Sequence, residues 1–198
     1  MAIIKDGQNG YTAEVNSDNR LLVHTHTENV HNISHDTGRA YGTYVSRNLS
    51  VANTDEVVGH FLYNGSGIMV VSQIVFSIAL TSTDFSHVRF EVHVDPTSVS
   101  GGTAHLPIPM NRGRLIASES VVLSGDTTVA ATLGGFATEL FHAQLSSHGN
   151  TTVTWDTLEG LILERGDSFV IVAKGDSAGV ALPGARASMR SYEQDKGE

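Results

Sequence analysis

Apolar and polar residues alternate along much of this chain. The pattern is clearest within residues 85–94, where the apolar set is Val88, Phe90, Val92 and Val94, and the polar set is His87, Arg89, Glu91 and His93. Because successive side chains of a strand point to opposite faces, this alternation predicts a strand with one face in a core. The other face is expected in solvent, as on the outside of a sandwich. A pH-sensitive or ligand-binding surface is the alternative for these polar residues.

Apolar runs bounded by turn residues predict the remaining strands of a main body. The predicted strands cover residues 40–48, 57–63, 68–80, 115–123, 127–132, 151–155, 158–163, 168–173 and 185–192. Residues 136–146 fit either a strand or a single helical turn, and residues 99–110 are predicted to form a loop. The turn signals recur at roughly the 8–12-residue spacing of sandwiches. The pattern therefore predicts an all-β fold, an antiparallel β-sandwich or jelly roll, over residues 40–198.

The N-terminal part has a different pattern. Residues 11–15 and 20–27 predict two strands of a β-hairpin, joined by the turn residues 16–19, and the polar residues 28–39 predict a linker. A lone hairpin is marginally stable in water, so we expect this N-terminal arm, residues 1–39, to dock on another surface. Its candidate interface residues are Tyr11, Ala13, Val15, Leu21, Leu22 and Val23.

Composition narrows the classes of partner. The 198 residues include no cysteine, which excludes disulfides and cysteine metal sites, and the formal net charge is −9. An acidic chain is repelled by nucleic acid and by anionic lipid, so neither is expected as a partner. No apolar run is long enough to span a bilayer, and the first residues do not resemble a signal peptide. The sequence predicts synthesis in the cytoplasm and no association with a membrane.

Catalytic motifs are missing from the sequence. We find no nucleophile elbow, phosphate-binding loop or His-Glu-x-x-His pattern, so the chain is predicted to be no enzyme and to use no cofactor. Histidine is unusually frequent, with 10 residues. His24 and His26 would share one face of a strand and are weak candidates for a metal site, although no metal is the favoured expectation. Trp155 alternates with Val153 and is expected in the core.

Four segments resemble a family of tailed-bacteriophage virion structural proteins. Residues 5–21 are similar to the family's N-terminal arm of the type Asp-Gly-x-x-Gly-Tyr, and Phe-Leu-Tyr-Asn at residues 61–64 is similar to the start of its central strand pair. Val-His-Val-Asp-Pro-Thr at residues 92–97, followed by Asn111-Arg112-Gly113, and Leu-Glu-Arg-Gly-Asp-Ser at residues 163–168 resemble two later patterns. The likeness is spread over most of the chain.

The resemblance implies a structural function in the virion and no catalytic residues. A capsid decoration protein that docks on the head shell is the favoured expectation; a tail, collar or head-fibre component, or a module that binds carbohydrate or a host receptor, is the alternative. The implied partners are the major capsid protein or other virion proteins and further copies of the chain, with a homotrimer favoured. The implied location is the virion.

Overall fold

The computed structural model describes residues 2–5, 12–15, 21–22, 39–79, 87–111, 113, 115–124, 130–132, 138–146, 151–176 and 183–195. These residues form sixteen strands and no helix, so the predicted all-β class is confirmed. The N-terminal strands are β1 (Ala2–Lys5), β2 (Thr12–Val15) and β3 (Leu21–Leu22). The body begins with β4 (Ala40–Asn48), β5 (Glu56–Tyr63), β6 (Ile68–Ala79), β7 (His87–Val94), β8 (Ser98–Ser100), β9 (Thr103–His105) and β10 (Ile108–Pro109). It continues with β11 (Ser120–Ser124), β12 (Ala130–Thr132), β13 (Thr138–Ser146), β14 (Thr152–Leu163), β15 (Ser168–Gly175) and β16 (Gly184–Gln194).

Two antiparallel sheets build the body. The first sheet has five strands in the order β10-β4-β16-β6-β14, and the second has six in the order β13-β7-β15-β5-β11-β9. Buried apolar side chains from both sheets, such as Ile74 of the first and Phe90 of the second, belong to one core cluster. The two sheets therefore pack face to face, which confirms the predicted β-sandwich.

The eight long strands form nested pairs. β4 pairs with β16, β5 with β15, β6 with β14 and β7 with β13. The first four long strands therefore run back against the last four in reverse order. These eight strands are divided between the two sheets: the first contains β4, β6, β14 and β16, and the second contains the other four long strands.

Aromatic rings join the two sheets within the core. Phe76 of β6 stacks on Phe141 of β13 with ring centroids 5.3 Å apart, and Phe141 stacks on Trp155 of β14 at 4.8 Å. Large aromatic side chains bury much apolar surface, and ring pairs of this kind add about 0.5–1.5 kcal/mol to that burial. Trp155 packs against the core, as its alternation with Val153 predicts.

The outer face of the second sheet is partly covered. Val57, Val170 and Val172 form a second buried apolar cluster there, and Val99 and Ala131 pack against it. Val99 lies in β8 and Ala131 in β12, which pair with each other as a two-stranded sheet. This small sheet therefore shields part of a face that alternation alone would leave in water.

Several predicted boundaries differ from the structure. Residues 99–110, predicted as a loop, contain β9 and β10 and most of β8. The predicted strand at residues 115–123 begins only at Ser120, and the ambiguous residues 136–146 include the long strand β13. Two strands predicted at residues 151–155 and 158–163 are one strand, β14, with a register shift between Asp156 and Leu161. A bulge preserves one strand while resetting which side chains point inward, so the sequence pattern shows an interruption.

The N-terminal strands form a three-stranded sheet in the order β1-β2-β3. β2 pairs with β3 through Glu14 opposite Leu22 and Val15 opposite Leu21, which agrees with the predicted hairpin for the residues described. β1 is an additional strand that the sequence analysis did not predict, and it pairs with β2 along four residues. The extent of the arm and the division at residues 39 and 40 stay predictions.

Candidate functional site

An exposed set of apolar side chains accompanies one edge of the first sheet. We name it the apolar strip; its members are Leu106, Ile108, Met110, Leu115 and Ile116. Nine large hydrophobic side chains are exposed in the described part of the chain, and five of them belong to this segment of eleven residues. Leu115 is 70% exposed and Ile108 is 61% exposed. Concentrated exposed apolar surface of this kind is typical of a protein contact site.

Both ends of the segment 110–117 are attached to the beginning of β4. The amide of Met110 donates to the carbonyl oxygen of Ala40 at 2.8 Å, and Pro109 lies opposite Tyr41 in the β10–β4 pairing. At the other end, the Tyr41 hydroxyl donates to the carbonyl oxygen of Ala117 at 3.5 Å. The apolar strip therefore lies beside the point where the polypeptide enters the body from the N-terminal segment.

A buried carboxylate fixes the chain directly after the apolar strip. Oε1 of Glu193 accepts hydrogen bonds from the Ser118 hydroxyl at 2.6 Å, the Glu119 amide at 3.0 Å and the Ser120 hydroxyl at 3.2 Å. Glu193 belongs to β16 and is only 4% exposed. Since hydrogen bonds to a charged acceptor are stronger than neutral ones, this contact holds the start of β11 against the first sheet.

Burial sets the electrostatics around this carboxylate. Burial raises the pKa of Glu193 above its ordinary value, although the hydrogen bonds from Ser118, Glu119 and Ser120 act in the opposite direction. Burial, together with the negative charges of Glu193 and Glu119, raises the pKa of Tyr63 to about 12. Burial likewise raises the pKa of Tyr41. The two tyrosines therefore remain neutral at physiological pH.

Glu56 is a second buried carboxylate, at the start of β5. It accepts hydrogen bonds from the amides of Ser50 at 2.6 Å and Val51 at 3.0 Å, and it forms an ion pair with Arg47 at 2.9 Å. Burial pushes the pKa of Glu56 upward, but the amides of Val51 and Ser50, the Ser50 hydroxyl and Arg47 outweigh it and the pKa is lowered. The carboxylate fastens the turn between β4 and β5, and its oxygens are occupied by internal partners.

The residues predicted for binding fall partly outside the described residues. His24 and His26, the weak metal candidates, lie there, and so do the interface candidates Tyr11 and Val23. Of the other interface candidates, Ala13 and Val15 lie in β2, and Leu21 and Leu22 lie in β3. The β2–β3 register brings Val15 and Leu21 to directly opposite positions.

The polar face of β7 differs from its prediction. His87 and Arg89 are exposed at their side chains, but Glu91 is 9% exposed and His93 is 8% exposed. The expectation of a solvated face is therefore wrong for Glu91 and His93. Sequence alternation identifies the side of a sheet on which a residue lies, but it does not reveal whether another segment covers that side.

Sequence reasoning also missed the apolar strip. The segment was predicted to be a loop up to residue 110 and a strand from residue 115, yet Leu115 and Ile116 are exposed and precede β11. The available signal was the density of large apolar residues around Pro107 and Pro109. Proline lacks an amide donor and is confined to edge strands, which agrees with the position of β10 at the end of the first sheet.

Two long strands end their sheets at the other side of the sandwich. β13 is the last strand of the second sheet and β14 is the last strand of the first sheet. An edge strand presents backbone donors and acceptors that another strand can satisfy. These two edges are therefore places where an extended segment of a partner could add by strand pairing.

Comparisons with known proteins identify no relative, so the proposed function depends on the geometry of the molecule. No protein-family model matches the chain, and no curated protein matches it. In the described part of the chain, no helix has the length and apolar character needed to cross a membrane.

Proposed function

We propose that the chain is a non-enzymatic virion structural protein, a capsid decoration protein that forms a homo-oligomer and docks on the head shell. A homotrimer is the favoured assembly, and the major capsid protein or another virion protein is the favoured partner. The observation that carries this proposal is the apolar strip, because removing its exposed side chains from water in a contact with a partner protein lowers the free energy of the assembly.

The strand order supports the proposal. The nested pairing of the eight long strands between two sheets supports the jelly-roll form of the predicted sandwich, a fold found in viral capsid and lectin domains. Fold alone does not establish function, so this support is an analogy. It does, however, agree with the similarity of several sequence segments to virion structural proteins.

The buried carboxylates of the body support a structural function over a catalytic one. Glu56 and Glu193 bind backbone amides and hydroxyl groups of their own chain, and they fasten a turn and the start of a strand. A catalytic acid or base must reach a substrate proton, whereas both of these groups are committed to internal donors. We infer that their function is to hold the sandwich in shape.

The alternatives predict different observations. A tail, collar or head-fibre component would use the same contact chemistry and would differ in the number of copies per particle. A carbohydrate-binding module would be expected to present several exposed aromatic rings. Among the exposed large hydrophobic residues of the described part of the chain Tyr44 is the one aromatic, and Trp155 stacks on Phe141 against the core. The aromatic evidence therefore favours protein contacts.

The proposal is tested by measuring the oligomeric mass of the full chain in solution with light scattering after size-exclusion chromatography. We expect an oligomer for the unmodified chain and a monomer, or a strong shift toward it, for the double variant Ile108→Ser and Leu115→Ser. The matched control is Val51→Ser, an exposed apolar residue in the turn after β4, which should leave the mass unchanged. A monomeric unmodified chain, or an oligomer that the double variant does not affect, would contradict the proposal.

Copy number then separates the virion locations. Quantitative mass spectrometry of purified particles should find hundreds of copies of a head decoration protein. A handful of copies would indicate a tail or collar component instead.

A further inference from the structure

Two neighbouring strands bring several metal-ligating groups together on the outer face of the second sheet. In the β7–β13 pairing, Glu139 lies opposite His93 and His142 lies opposite Glu91. Glu91 and His93 are two residues apart on β7 and therefore share a face. The pairing thus places two carboxylates and two imidazoles around one short stretch of the β7–β13 ladder.

A β-bulge lies within this arrangement. The register shifts between Glu139 and Phe141, so Leu140 is an extra residue on β13. Phe141 continues into the core and stacks on Phe76, while Glu139 is exposed on the other side. Bulges redirect side chains at binding sites, and this one allows Glu139 to face β7 while the next aromatic residue still reaches the core.

The distances among these groups fit a single cation. Ligand atoms of Glu91, His93 and Glu139 all lie within 4.8 Å of one another, and Nε2 of His93 is 2.8 Å from Oε2 of Glu91. Metal–ligand bonds of about 2.0–2.2 Å in a tetrahedral site place ligand atoms about 3.3 Å apart. Nδ1 of His142 lies 3.5 Å from Oε1 of Glu139, at the rim of the cluster and outside the set of three mutually close ligand residues.

The charges of the cluster favour an added cation. Glu91 and Glu139 bring two carboxylates close together, and like charges at such a distance repel. Arg89 neutralises one side of Glu91, with its Nε 2.5 Å from Oε1, and this contact leaves Oε2 directed toward His93. An arginine that fixes the orientation of a ligand carboxylate acts as an outer-shell partner of a metal site.

We propose that Glu91, His93 and Glu139 form a binding site for Zn²⁺ or a similar first-row divalent cation, with the fourth position open to water. A mixed set of imidazole nitrogen and carboxylate oxygen suits such ions, whereas Mg²⁺ and Ca²⁺ prefer oxygen ligands alone. The site joins β7 to the edge strand β13, and a bound ion would stabilise that edge. This inference is independent of the proposed virion function.

The proposal is tested on the full chain, freed of metal with a chelator, by calorimetric titration with Zn²⁺ and by thermal unfolding with and without the ion. We expect one ion per chain at this site and a higher melting temperature with Zn²⁺, because a ligand that binds the folded state stabilises it. The visible absorption of bound Co²⁺ should show a tetrahedral site.

Three variants locate the ion. Glu139→Gln changes an exposed residue that should not disturb folding, and it should weaken Zn²⁺ binding by about tenfold or more. His87→Ala is the matched control, because His87 lies on the same strand but pairs with Asp176 outside the cluster. The double variant His24→Ala and His26→Ala removes the candidates that the sequence suggested, and it should leave the effect of Zn²⁺ on the melting temperature intact.

Each contrary result would overturn the proposal. One is the lack of saturable binding and of any melting shift in the unmodified chain. The others are equal binding by Glu139→Gln, equal weakening by His87→Ala, and loss of binding only when His24 and His26 are replaced. The last result would assign the ion to the N-terminal segment.

Discussion

Two buried glutamates show how strongly surroundings decide the behaviour of one residue type. Burial dominates at Glu193, and its pKa is raised. At Glu56 two backbone amides, a hydroxyl group and Arg47 together outweigh burial, and its pKa is lowered. Nothing in the local sequence of either residue distinguishes them. Their difference arises from the groups that the fold brings to each carboxylate.

Opposite pH dependences should follow from the two shifts. A group whose pKa is raised in the folded state contributes stability below its unfolded pKa, and that contribution is lost as the pH rises through the folded pKa. In the unmodified chain, the ionisation of Glu193 should therefore lower the free energy of unfolding as the pH rises from about 4.5. Glu193→Gln cannot ionise, so its free energy of unfolding should fall less over the same pH range. Urea unfolding between pH 4 and pH 8 measures this change.

Glu56→Gln is the matched comparison, because Glu56 contributes stability above its unfolded pKa that is lost as the pH falls through the folded pKa. This variant should flatten the acid side of the profile and cost about 3–5 kcal/mol near pH 7, since it removes the negative charge that faces the buried guanidinium of Arg47. Identical profiles for both variants and the unmodified chain would contradict the environments assigned to these carboxylates.

At the scale of the element, the distance between the two sheets depends on the size of single residues. Gly59 of β5 lies against Val45 of β4, which belongs to the other sheet, and an added Cβ at Gly59 would lie 2.8 Å from Cγ1 of Val45. Val45 is only 1% exposed, so it has little room to move. The absence of a side chain at residue 59 therefore sets how closely the two sheets approach at this point.

Gly59→Ala should destabilise the protein by about 1–3 kcal/mol, the usual cost of overpacking a core. Gly42→Ala is the matched control within β4, because no atom lies within 4 Å of a Cβ added there. Its effect should stay within about 0.5 kcal/mol, as for most surface substitutions. Chemical denaturation compares the two variants, and equal stabilities would refute the close approach.

At the scale of the whole molecule, the nested strand pairs require distant parts of the chain to meet. β4 and β16 are the first and last long strands of the body, and they pair along nine residues. Such pairing brings residue 40 beside residue 192, so the body closes only when both ends are present. The N-terminal sheet is separate from these pairings, and the body does not use β1–β3 to complete either of its sheets.

Deletion of residues 1–27 should therefore leave a folded body. Because a lone hairpin is expected to dock on another surface, the truncated body should also lose contacts that assembly needs in addition to the apolar strip. Circular dichroism should show a β spectrum and cooperative unfolding with a melting temperature within a few degrees of the full chain, while light scattering should report a monomer. A truncated chain that keeps the oligomeric mass of the full chain would show that the arm is not needed for assembly. A truncated chain that does not fold would contradict the separation of the arm from the body.

The sequence by itself determined the fold class and the position of most long strands. Alternation in residues 85–94 and the apolar runs near residues 68–80 and 168–173 depend only on local side-chain direction, which a strand fixes every second residue. The same reasoning placed Trp155 against the core. These features are local, so they can be derived without knowing which strands become neighbours.

Only the tertiary structure decided which strands are neighbours and which side chains form the apolar strip and the candidate metal site. The pairing of Glu139 with His93 joins two strands that are far apart in the chain, and the burial of Glu91 and the exposure of Leu115 are visible only in the folded molecule. Strand alternation tells which face a residue occupies, but the register, the bulges and the covering segments determine what that face meets. The chemistry of this molecule therefore arises from long-range pairing, which no local pattern specifies.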